Sequence, residues 1–382
     1  MKLNNVMRKN EMNIAIWGAG KFGRLVLGQL INNTNTKVRA FIDKNAENLN
    51  LVDGIPVVSP KQFMEELASN IDLVLVAFTN GASIIRTLKE LGVKKWGIVS
   101  NLVFEYNLKM QMNLKEDDRI LWNDSLVVEK PVLSTLETNV VDYCNLNCKG
   151  CSHFSNLFSK GSQISFEQFQ NDIKNLSDKV FIRQFNLLGG EVFLSDKLEL
   201  YVECLKKYMP ETEIQLVSNG LLIPSQSDER LEYLANNHIF VSITEYSPFS
   251  GMREKIVNVL EKYGIIYQIR PFVDTFGKNI DLSGKNNSWT AQETCRESRC
   301  HFLRNGKIYK CPFSALGNHY FDYYEIPLHF EEGIDICSEA VDWALAVKML
   351  DETPVEQCKF CGKEERFPWE VSINPRKEEW LI

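Results

Sequence analysis

Cysteine is missing from the first third of the chain: none of the 10 cysteines of this 382-residue protein precedes residue 144. Long hydrophobic runs are also missing, since no segment approaches the roughly 20 apolar residues of a transmembrane helix, and we expect no membrane span. Basic residues are not in excess, because 43 Lys and Arg stand against 50 Asp and Glu. With a net charge of -7 and no basic cluster, we expect no nucleic-acid partner.

The first residues lack the apolar stretch of a secretory signal peptide, so we expect a cytoplasmic protein. Cysteines rarely form disulfides in a reducing compartment, and 10 of them therefore point to metal or redox chemistry. A chain of 382 residues exceeds the roughly 250 to 300 residues that one hydrophobic core can serve. We expect at least two domains.

Strand-like and helix-like patterns alternate along residues 1–125, which we assign to a first domain. The strand-like runs lie at 12–17, 37–42, 73–77 and 95–99, and the helical patterns lie at 24–31, 60–67 and 82–91. This alternation predicts an α/β fold with a doubly wound, Rossmann-like parallel sheet.

A glycine-rich turn after the first strand suggests a nucleotide site. It contains Gly18, Gly20 and Gly23, with Phe22 before the last glycine, and Asp43 ends the second strand. Such a turn offers backbone amides at a helix N-terminus to a phosphate and an acidic side chain to a ribose. The alternative is a turn with a structural role only.

The same region resembles the nucleotide-sugar-binding domain that precedes bacterial sugar acyltransferases, and related domains of surface-polysaccharide biosynthesis. The resemblance covers about residues 12–100. It rests on the sequences Ile-Trp-Gly-Ala-Gly at 16–20, Phe-Ile-Asp at 41–43, and Gly-Ile-Pro-Val at 54–57 followed by Ser-Pro at 59–60. It implies a uridine-diphosphate-type sugar as ligand in preference to a nicotinamide.

A second alternation extends over residues 126–273, which we assign to a central domain. Strand-like runs at 133–141, 180–188, 213–217, 239–244 and 265–270 enclose helical patterns at 165–176, 196–208, 228–237 and 252–263. Ser165 and Gln168 predict a capping box at the first of these helices. The succession predicts a partial TIM-like barrel, whose functional groups gather at the carboxyl ends of the strands.

Three cysteines, Cys144, Cys148 and Cys151, directly follow the first strand of this domain. A loop of this kind can wrap three thiolates around one 4Fe-4S cluster and leave one iron open to another ligand. The alternative is a structural zinc site completed by His153, although such sites usually combine two-cysteine pairs. The spacing favours a cluster that takes part in chemistry.

This C-x3-C-x2-C loop resembles that of the radical S-adenosylmethionine (SAM) enzymes. The resemblance covers about residues 133–270, with a related extension to the C-terminus. It implies a partial (β/α)6 barrel in which a 4Fe-4S cluster and S-adenosylmethionine generate a 5'-deoxyadenosyl radical that abstracts hydrogen from the substrate. Gly150 departs from the family pattern, because an aromatic residue usually stands there, and this puts the adenine contact in question.

Further strand ends match the same family. Gly189, Gly190 and Glu191 follow the second strand, where the resemblance implies contacts with the methionyl ammonium of SAM. Ser218 and Asn219 follow the third strand, where it implies contacts with the ribose or carboxylate. Thr244 and Arg270, at the ends of the fourth and fifth strands, complete the predicted cofactor-binding residues. Each could instead have a structural role, and we assign no catalytic residue.

Residues 274–382 form a small cysteine-rich extension, the third predicted domain. The Asn305-Gly306 dipeptide between apolar runs predicts a hairpin that brings Cys300 opposite Cys311. Cys358 and Cys361 would complete four ligands for a second, auxiliary 4Fe-4S cluster. Cys295 competes with Cys300, because the segment up to Cys311 also fits the C-x(9–15)-G-x4-C pattern of the SPASM and twitch extensions that this region resembles.

Alternatives remain for the other thiols. A zinc ribbon is the alternative to the auxiliary cluster. Cys204 and Cys337 are predicted to be buried core residues, and hydrogen-atom donation by Cys337 is the alternative role.

We therefore expect a radical SAM enzyme that abstracts hydrogen from a sugar or nucleotide sugar, leading to oxidation, epimerisation or elimination in surface-polysaccharide or secondary-metabolite biosynthesis. It would receive electrons from a donor such as flavodoxin or ferredoxin. One alternative is a peptide-modifying radical enzyme, because many SPASM-type relatives act on ribosomal peptides. Another is a non-catalytic iron-sulfur sensor of nucleotides, which would leave the motifs at 189–191 and 218–220 unused.

Overall fold

The computed structural model describes residues 12–31, 36–77, 82–99, 111–112, 130–331 and 333–382. The chain divides into two compact units, Met1–Ser134 and Thr135–Ile382. The predicted boundary at residue 125 lies outside the described residues, and the predicted extension from residue 274 belongs to the second unit. No helix among the described residues has both the length and the apolar character needed to cross a membrane.

The first unit is a mixed α/β structure. Its strands are β1 (Met12–Trp17), β2 (Thr36–Ile42), β3 (Leu51–Val52), β4 (Ile55–Val58), β5 (Leu73–Val76), β6 (Trp96–Ile98) and β7 (Gln111–Met112). Six of them form a sheet in the order β3-β4-β2-β1-β5-β6, parallel except at the β3-β4 edge. Because β1 is central, the chain winds first to one side of it and then to the other, which leaves a crevice at its carboxyl end.

Helices connect these strands. They are Lys21–Ile31, Ala46–Leu49, Pro60–Gln62 and Ala82–Glu90, and the third continues as a π turn, Phe63–Leu67, and a 3-10 turn, Ala68–Asn70. Ser59 and Gln62 form a capping box that starts the third helix, with Pro60 at its first position. The core lies between sheet and helices and includes Ile14, Ile16, Val26, Phe41 and Leu75.

The second unit begins with five strands that lie side by side in chain order. They are β8 (Val132–Val141), β9 (Phe181–Gly189), β10 (Glu213–Ser218), β11 (Phe240–Ile243) and β12 (Tyr267–Ile269). The helices between them are Phe166–Ser177, Leu198–Tyr208, Asp228–Asn236, Ser247–Ser250 and Arg253–Tyr263, with 3-10 turns at Val192–Leu194 and Ile223–Ser225. Pairing from β9 to β12 is parallel, so the carboxyl ends of these strands lie at one edge of the sheet.

The predicted capping box at the start of helix Phe166–Ser177 is only half present. Ser165 Oγ accepts the Gln168 amide at 3.4 Å, but the Gln168 side chain donates to Asp172 Oδ1 at 2.6 Å. Asp172 is a buried carboxylate that also accepts the Gly306 amide at 3.0 Å, so it takes the donor that would otherwise return to Ser165. This contact ties the helix to the Asn305-Gly306 turn.

The remainder of the second unit adds strands at one edge and a separate ribbon. The strands are β13 (Thr275–Ile280), β14 (Phe302–Arg304), β15 (Lys307–Tyr309), β16 (Ile334–Asp335) and β17 (Cys361–Pro368). The order β16-β15-β14 continues the sheet beyond β8, and β13 pairs antiparallel with β17. The helices are Ser288–Thr294, Pro312–Tyr323 and Trp343–Glu352, with 3-10 turns at Glu356–Phe360 and Lys377–Glu379.

An aromatic core joins this C-terminal part to the segment that follows the three cysteines. Phe154 packs on Tyr320, with ring centroids 5.2 Å apart, and on Trp380 at 5.8 Å. All three side chains are buried. The end of the chain is therefore anchored beside the cysteine loop by burial of large rings.

Two isolated cysteines have different surroundings. Cys204 is buried on helix Leu198–Tyr208, in line with its predicted place in the core. The prediction that Cys337 is buried is wrong, because its side chain is exposed. β16 ends at Asp335, Ile336 takes the buried position, and the Cys337 amide donates to Asp335 Oδ1 at 2.8 Å in the turn that follows.

Candidate functional site

The loop with Cys144, Cys148 and Cys151 brings its three thiols close enough to influence one another electrostatically. Burial raises the pKa of Cys148 to about 12, and Cys151 adds to this increase. The pKa of Cys144 is raised first by burial, then by Glu191, and also by the other two cysteines. Without metal these two thiols keep their protons, so a bound cluster would have to displace them.

N–H groups from three parts of the chain donate to the sulfurs. Cys144 Sγ accepts the Leu146 amide at 3.4 Å and Asn219 Nδ2 at 3.7 Å, and Cys148 Sγ accepts Trp369 Nε1 at 3.3 Å. Such donors stabilise the negative charge of cluster-bound thiolates, so the residues fit an iron-sulfur cluster. Within the described ranges, no three His, Cys, Asp or Glu side chains are already arranged around one metal position.

The glycine pair after β9 supports the cysteine loop by close backbone contact. A Cβ atom on Gly189 would lie 2.0 Å from the carbonyl oxygen of Val141, and one on Gly190 would lie 2.1 Å from that of Tyr143. The Gly190 amide donates to the carbonyl oxygen of Val141 at 2.9 Å, and the Glu191 amide donates to that of Tyr143 at 3.2 Å. Only glycine permits this approach, so the pair fixes where the cysteine loop leaves β8.

Glu191 connects the ends of β9 and β10. Its carboxylate is 0% exposed and accepts the Phe193 amide at 3.1 Å, Ser218 Oγ at 2.7 Å and the Asn219 amide at 2.9 Å. Burial raises the pKa of Glu191, and these three donors oppose the rise. The predicted contact of this carboxylate with an ammonium group stays a prediction, since the contacts described here all lie within the chain.

Asn219 extends this network to the cysteine loop, because its Nδ2 donates to Asn145 Oδ1 at 2.7 Å. The two other predicted cofactor residues also lie at strand ends. The Thr244 amide donates to the Ser218 carbonyl at 2.9 Å, and Arg270 Nε donates to Ser242 Oγ at 3.0 Å. The predicted cofactor residues of the second unit thus gather at one edge of the parallel sheet.

Glu137, on β8, is an interior residue that the sequence analysis missed. It is 5% exposed, and burial raises its pKa to about 8, with a further contribution from Glu297. A hydrogen bond from Asn186 and the charge of Arg270 oppose this rise. The polar run Glu137-Thr138-Asn139, inside a strand that begins and ends with apolar residues, was the signal available in the sequence.

An aromatic stack beside the cysteine loop was also missed. Tyr246 stacks on Trp369, with ring centroids 5.5 Å apart, and packs edge-on against Phe276 at 5.8 Å. The pKa of Tyr246 is raised first by burial and then by the three cysteines of the loop. These aromatic residues lie far apart in sequence, and no local pattern connects them.

A cavity of about 380 Å³ lies between the cysteine loop and the C-terminal cysteines. Gly150 and Ser152 line one side, residues of the β13-β17 ribbon line a second, and Cys295 and Glu297 line a third. Its charged lining residues are Lys278, Arg296, Glu297, Glu364 and Arg366. Arg366 Nη1 bonds to Glu364 Oε1 at 2.6 Å, and Arg296 approaches the same oxygen at 3.6 Å. The cavity lining therefore combines apolar surface with charged groups, some of which are already paired.

The predicted hairpin is present: Arg304 pairs with Lys307 across Asn305-Gly306, and both turn residues have positive φ. Four thiols line one small, apolar cavity beyond it, those of Cys295, Cys311, Cys358 and Cys361.

Cys300 is not among the residues that line this cavity. The pKa of Cys300 is raised by burial, then by Glu137 and Glu297, before Cys311 and Cys295 contribute. The Glu137 and Glu297 carboxylates are thus the strongest electrostatic neighbours of Cys300, ahead of the other cysteines.

In the first unit, the glycine turn after β1 has the tight geometry that its pattern predicts. Gly18 has φ 114°, and a Cβ on Gly23 would lie 1.8 Å from the Gly18 carbonyl oxygen. Asp43 accepts the Ala19 amide at 3.0 Å and the Asn45 amide at 2.9 Å.

The two other predicted nucleotide contacts of this turn differ in surroundings. A Cβ on Gly20 would meet no atom within 4 Å, whereas the Phe22 side chain belongs to the hydrophobic core.

Residues 138–269 match the sequence model of the Radical SAM superfamily, and residues 10–99 match that of the family described as C2185-like, N-terminal. Two curated relatives are GTP 3',8-cyclases. That of Sulfurovum sp. (strain NBC37-1) is 25% identical over 116 residues, 30% of this chain and 35% of the relative. That of Aquifex aeolicus (strain VF5) is 26% identical over 143 residues, which are 36% of this chain and 42% of the relative. The chain thus spans less than half the length of these relatives.

Three solved structures are similar to parts of the chain. BtrN in complex with AdoMet and 2-DOIA is 15% identical and covers 66% of this chain and 98% of its own, with a TM-score of 0.36. Native anSMEcpe with bound AdoMet is 19% identical and covers 36% of this chain and 44% of its own, with a TM-score of 0.29. UDP-D-quinovosamine 4-dehydrogenase from Vibrio fischeri is 22% identical and covers 31% of this chain and 95% of its own, with a TM-score of 0.25.

Proposed function

The chain carries a radical SAM domain, the domain of an enzyme superfamily, and we propose that it abstracts a hydrogen atom from a sugar or nucleotide sugar. In this proposal Cys144, Cys148 and Cys151 hold a 4Fe-4S cluster, and the cluster with S-adenosylmethionine supplies a 5'-deoxyadenosyl radical when both are bound. The strand-end groups at 189–191, 218–219, 244 and 270 would orient S-adenosylmethionine within the partial barrel.

One observation carries the substrate class: the cavity of about 380 Å³, with charged side chains in its lining, that adjoins the cysteine loop at Gly150 and reaches Cys295. Its volume falls in the range of roughly 300 to 1,000 Å³ typical of small-ligand pockets. Carboxylate and guanidinium groups on its wall can bind hydroxyl groups, and Tyr246 adds aromatic surface that can contact a sugar ring. An arginine in the wall suits the phosphates of a nucleotide sugar.

For the auxiliary 4Fe-4S cluster we propose Cys295, Cys311, Cys358 and Cys361 as ligands, in preference to Cys300. The proposal is supported by the single apolar cavity that these four thiols share. A cluster there would adjoin the substrate cavity through Cys295, which lines both. It could therefore accept an electron during oxidation of the substrate.

We further propose that the first unit is a Rossmann-like domain that captures a nucleotide or nucleotide sugar. The amides of the glycine turn would receive a phosphate. Asp43 already accepts two backbone amides, which order the turn, and its remaining lone pairs could accept a ribose hydroxyl. A thermal-shift comparison of uridine-diphosphate sugars with NAD tests this assignment, and stabilisation by neither ligand would refute it.

Anaerobic reconstitution with iron and sulfide tests the radical activity. After addition of dithionite and S-adenosylmethionine, the wild-type protein should produce 5'-deoxyadenosine. Cys337→Ala should retain this product, because Cys337 is exposed and belongs to neither proposed set of cluster ligands. A fully iron-loaded protein that forms no 5'-deoxyadenosine would instead support the sensor hypothesis.

Deuterium transfer identifies the substrate. Deuterated uridine-diphosphate sugars, free sugars, GTP and a peptide library are incubated separately, and deuterium in 5'-deoxyadenosine is measured by mass spectrometry. We expect transfer from a sugar or a nucleotide sugar. Transfer from peptides alone would favour the peptide-modifying alternative, and transfer from GTP alone would point to the reaction named for the cyclase relatives.

A further inference from the structure

Residues 367–380, which we term the C-terminal strap, run along the outside of the cysteine loop. The Lys149 amide donates to the Glu370 carbonyl at 2.9 Å, and the Ser372 amide donates to the Asn147 carbonyl at 2.7 Å. These bonds flank Cys148, which forms an isolated antiparallel bridge with Val371. The strap thus pairs with the loop as a short strand would.

Side chains strengthen this pairing at both ends of the loop. Lys149 forms an ion pair with Glu370, and its ammonium lies 5.6 Å from the ring centroid of Phe367. Trp380 Nε1 donates to the Cys151 carbonyl at 2.8 Å, and its ring is buried. The strap therefore contacts the loop from Asn147 to Cys151.

Phe367 occupies the space beside Gly150. A Cβ atom on Gly150 would lie 2.8 Å from Phe367 Cζ and 2.9 Å from the Glu379 carbonyl oxygen, and Gly150 has φ 64°. A side chain at position 150 would displace the strap. The glycine at this point of the loop therefore has a local physical reason, because it admits the strap.

Trp369 makes the contact with chemical consequences. Its indole Nε1 donates to Cys148 Sγ at 3.3 Å, and its ring is held by stacking on Tyr246. A donor to a thiolate sulfur stabilises the more negative state of an iron-sulfur cluster and so raises its reduction potential.

We propose that the C-terminal strap is part of the radical site and that Trp369 is a positioning residue for Cys148. The strap holds the cysteine loop in its ligating form, and the indole N–H raises the reduction potential of the cluster that the loop would bind. This inference rests on the proposed function only in requiring a cluster on the three cysteines. The strap is also continuous with β17, whose first residue is Cys361, so one segment contacts both cysteine sites.

Replacement of Trp369 by Phe removes the indole N–H and keeps an aromatic ring for the stack. Redox titration of the reconstituted full-length protein, followed by electron paramagnetic resonance, should show a more negative midpoint potential for the S-adenosylmethionine-responsive cluster. At a fixed solution potential we expect up to about a tenfold lower ratio of reduced to oxidised cluster, equivalent to about 59 mV for one electron.

Trp380→Phe is the matched control, because it removes an indole N–H that donates to a loop carbonyl oxygen and not to a sulfur. Its potential should equal that of the wild-type protein. An unchanged potential in fully loaded Trp369→Phe, or an equal shift in both variants, would overturn the role of Trp369.

A second measurement does not depend on the cluster. In the metal-free full-length protein, Trp369→Ala should speed amide hydrogen exchange at Lys149 and Ser372 by about tenfold, the equivalent of one hydrogen bond. Unaltered exchange at both amides would show that Trp369 does not hold the strap against the loop. If the wild-type protein binds no cluster while Trp369→Ala still speeds exchange at these amides, the proposed function is contradicted and the strap assignment is supported.

Discussion

The two cysteine sites of the second unit are built in opposite ways. Cys144, Cys148 and Cys151 lie in one loop, and neighbouring strand ends and the C-terminal strap supply N–H donors to them. The other four thiols lie between residues 295 and 361, at the end of one helix, at the start of another, in a 3-10 turn and on a strand. Local spacing defines the first site, whereas only the fold assembles the second.

Their surroundings differ as well. The loop cysteines adjoin polar groups and a cavity that a substrate could enter, while the four C-terminal thiols line an apolar cavity. Beside the latter, the buried Lys310 ammonium donates to the Leu350 carbonyl. An accessible site suits chemistry on a bound ligand, and an enclosed one suits electron storage, because burial and nearby charge tune cluster potentials.

The largest effect should come from removing one ligand from each site. Cys148→Ala should abolish 5'-deoxyadenosine formation, whereas Cys358→Ala should spare this cleavage and impair substrate turnover. Both products are measured by chromatography after anaerobic reconstitution. If Cys358→Ala also abolished cleavage at full occupancy of the loop cluster, the division of labour between the sites would be wrong.

Replacing the fourth ligand at the C-terminal site should remove about four iron atoms per chain, the content of one 4Fe-4S cluster. We expect this loss in Cys295→Ser and not in Cys300→Ser, because Cys295 lines the four-thiol cavity. Iron analysis and Mössbauer spectroscopy measure it. The reverse result would identify Cys300 as the ligand.

A substitution at a tightly packed glycine should destabilise the cysteine loop and leave the C-terminal site in place. Gly190→Ala places a Cβ near the Tyr143 carbonyl oxygen, and we expect it to lower the free energy of unfolding by about 1 to 3 kcal/mol, as overpacking does. Gly251→Ala is the control, since the nearest atom to its Cβ lies 4.0 Å away. Denaturant unfolding and iron analysis check both. Loss of iron from the C-terminal site alone would contradict the expected local effect.

The smallest effect concerns pH. Burial raises the pKa of Glu137 from 4.5 to about 8, so the folded protein holds this proton while the unfolded chain releases it. The contribution to stability is complete below pH 4.5 and is lost as pH rises through about 8. Glu137→Gln should remove up to about 1.4 kcal/mol per pH unit of this dependence. Exposed Glu203 provides the control substitution, and an identical pH profile for Glu137→Gln and the wild-type protein would contradict the assignment.

Most strands and helices could be predicted from hydrophobic periodicity, because each forms within a short window. β10, for example, lies at Glu213–Ser218 against a predicted 213–217. The capping box at Ser165 failed because Asp172 competes for the Gln168 side chain, a contact set by burial. The Cys337 prediction failed because a turn after β16 interrupts the strand pattern.

The site was predictable where its residues follow strands. Glycine pairs and cysteine triplets have local signatures, and parallel strands bring their ends together. Trp369, Phe367 and Tyr246 carry no such signature, since their relation to the cysteine loop depends on contacts between distant parts of the sequence, 221 residues apart for Cys148 and Trp369. Pairing of that kind arises from packing and cannot be read from spacing.

Gly150 and Phe367 are sterically dependent on one another, because the Phe367 ring fills the space that a side chain at position 150 would need. An aromatic side chain at position 150 would need the volume that Phe367 fills and would meet the Glu379 carbonyl at the same time. The two positions are therefore sterically coupled: a side chain fits at position 150 only if Phe367 and the Glu379 carbonyl oxygen both move.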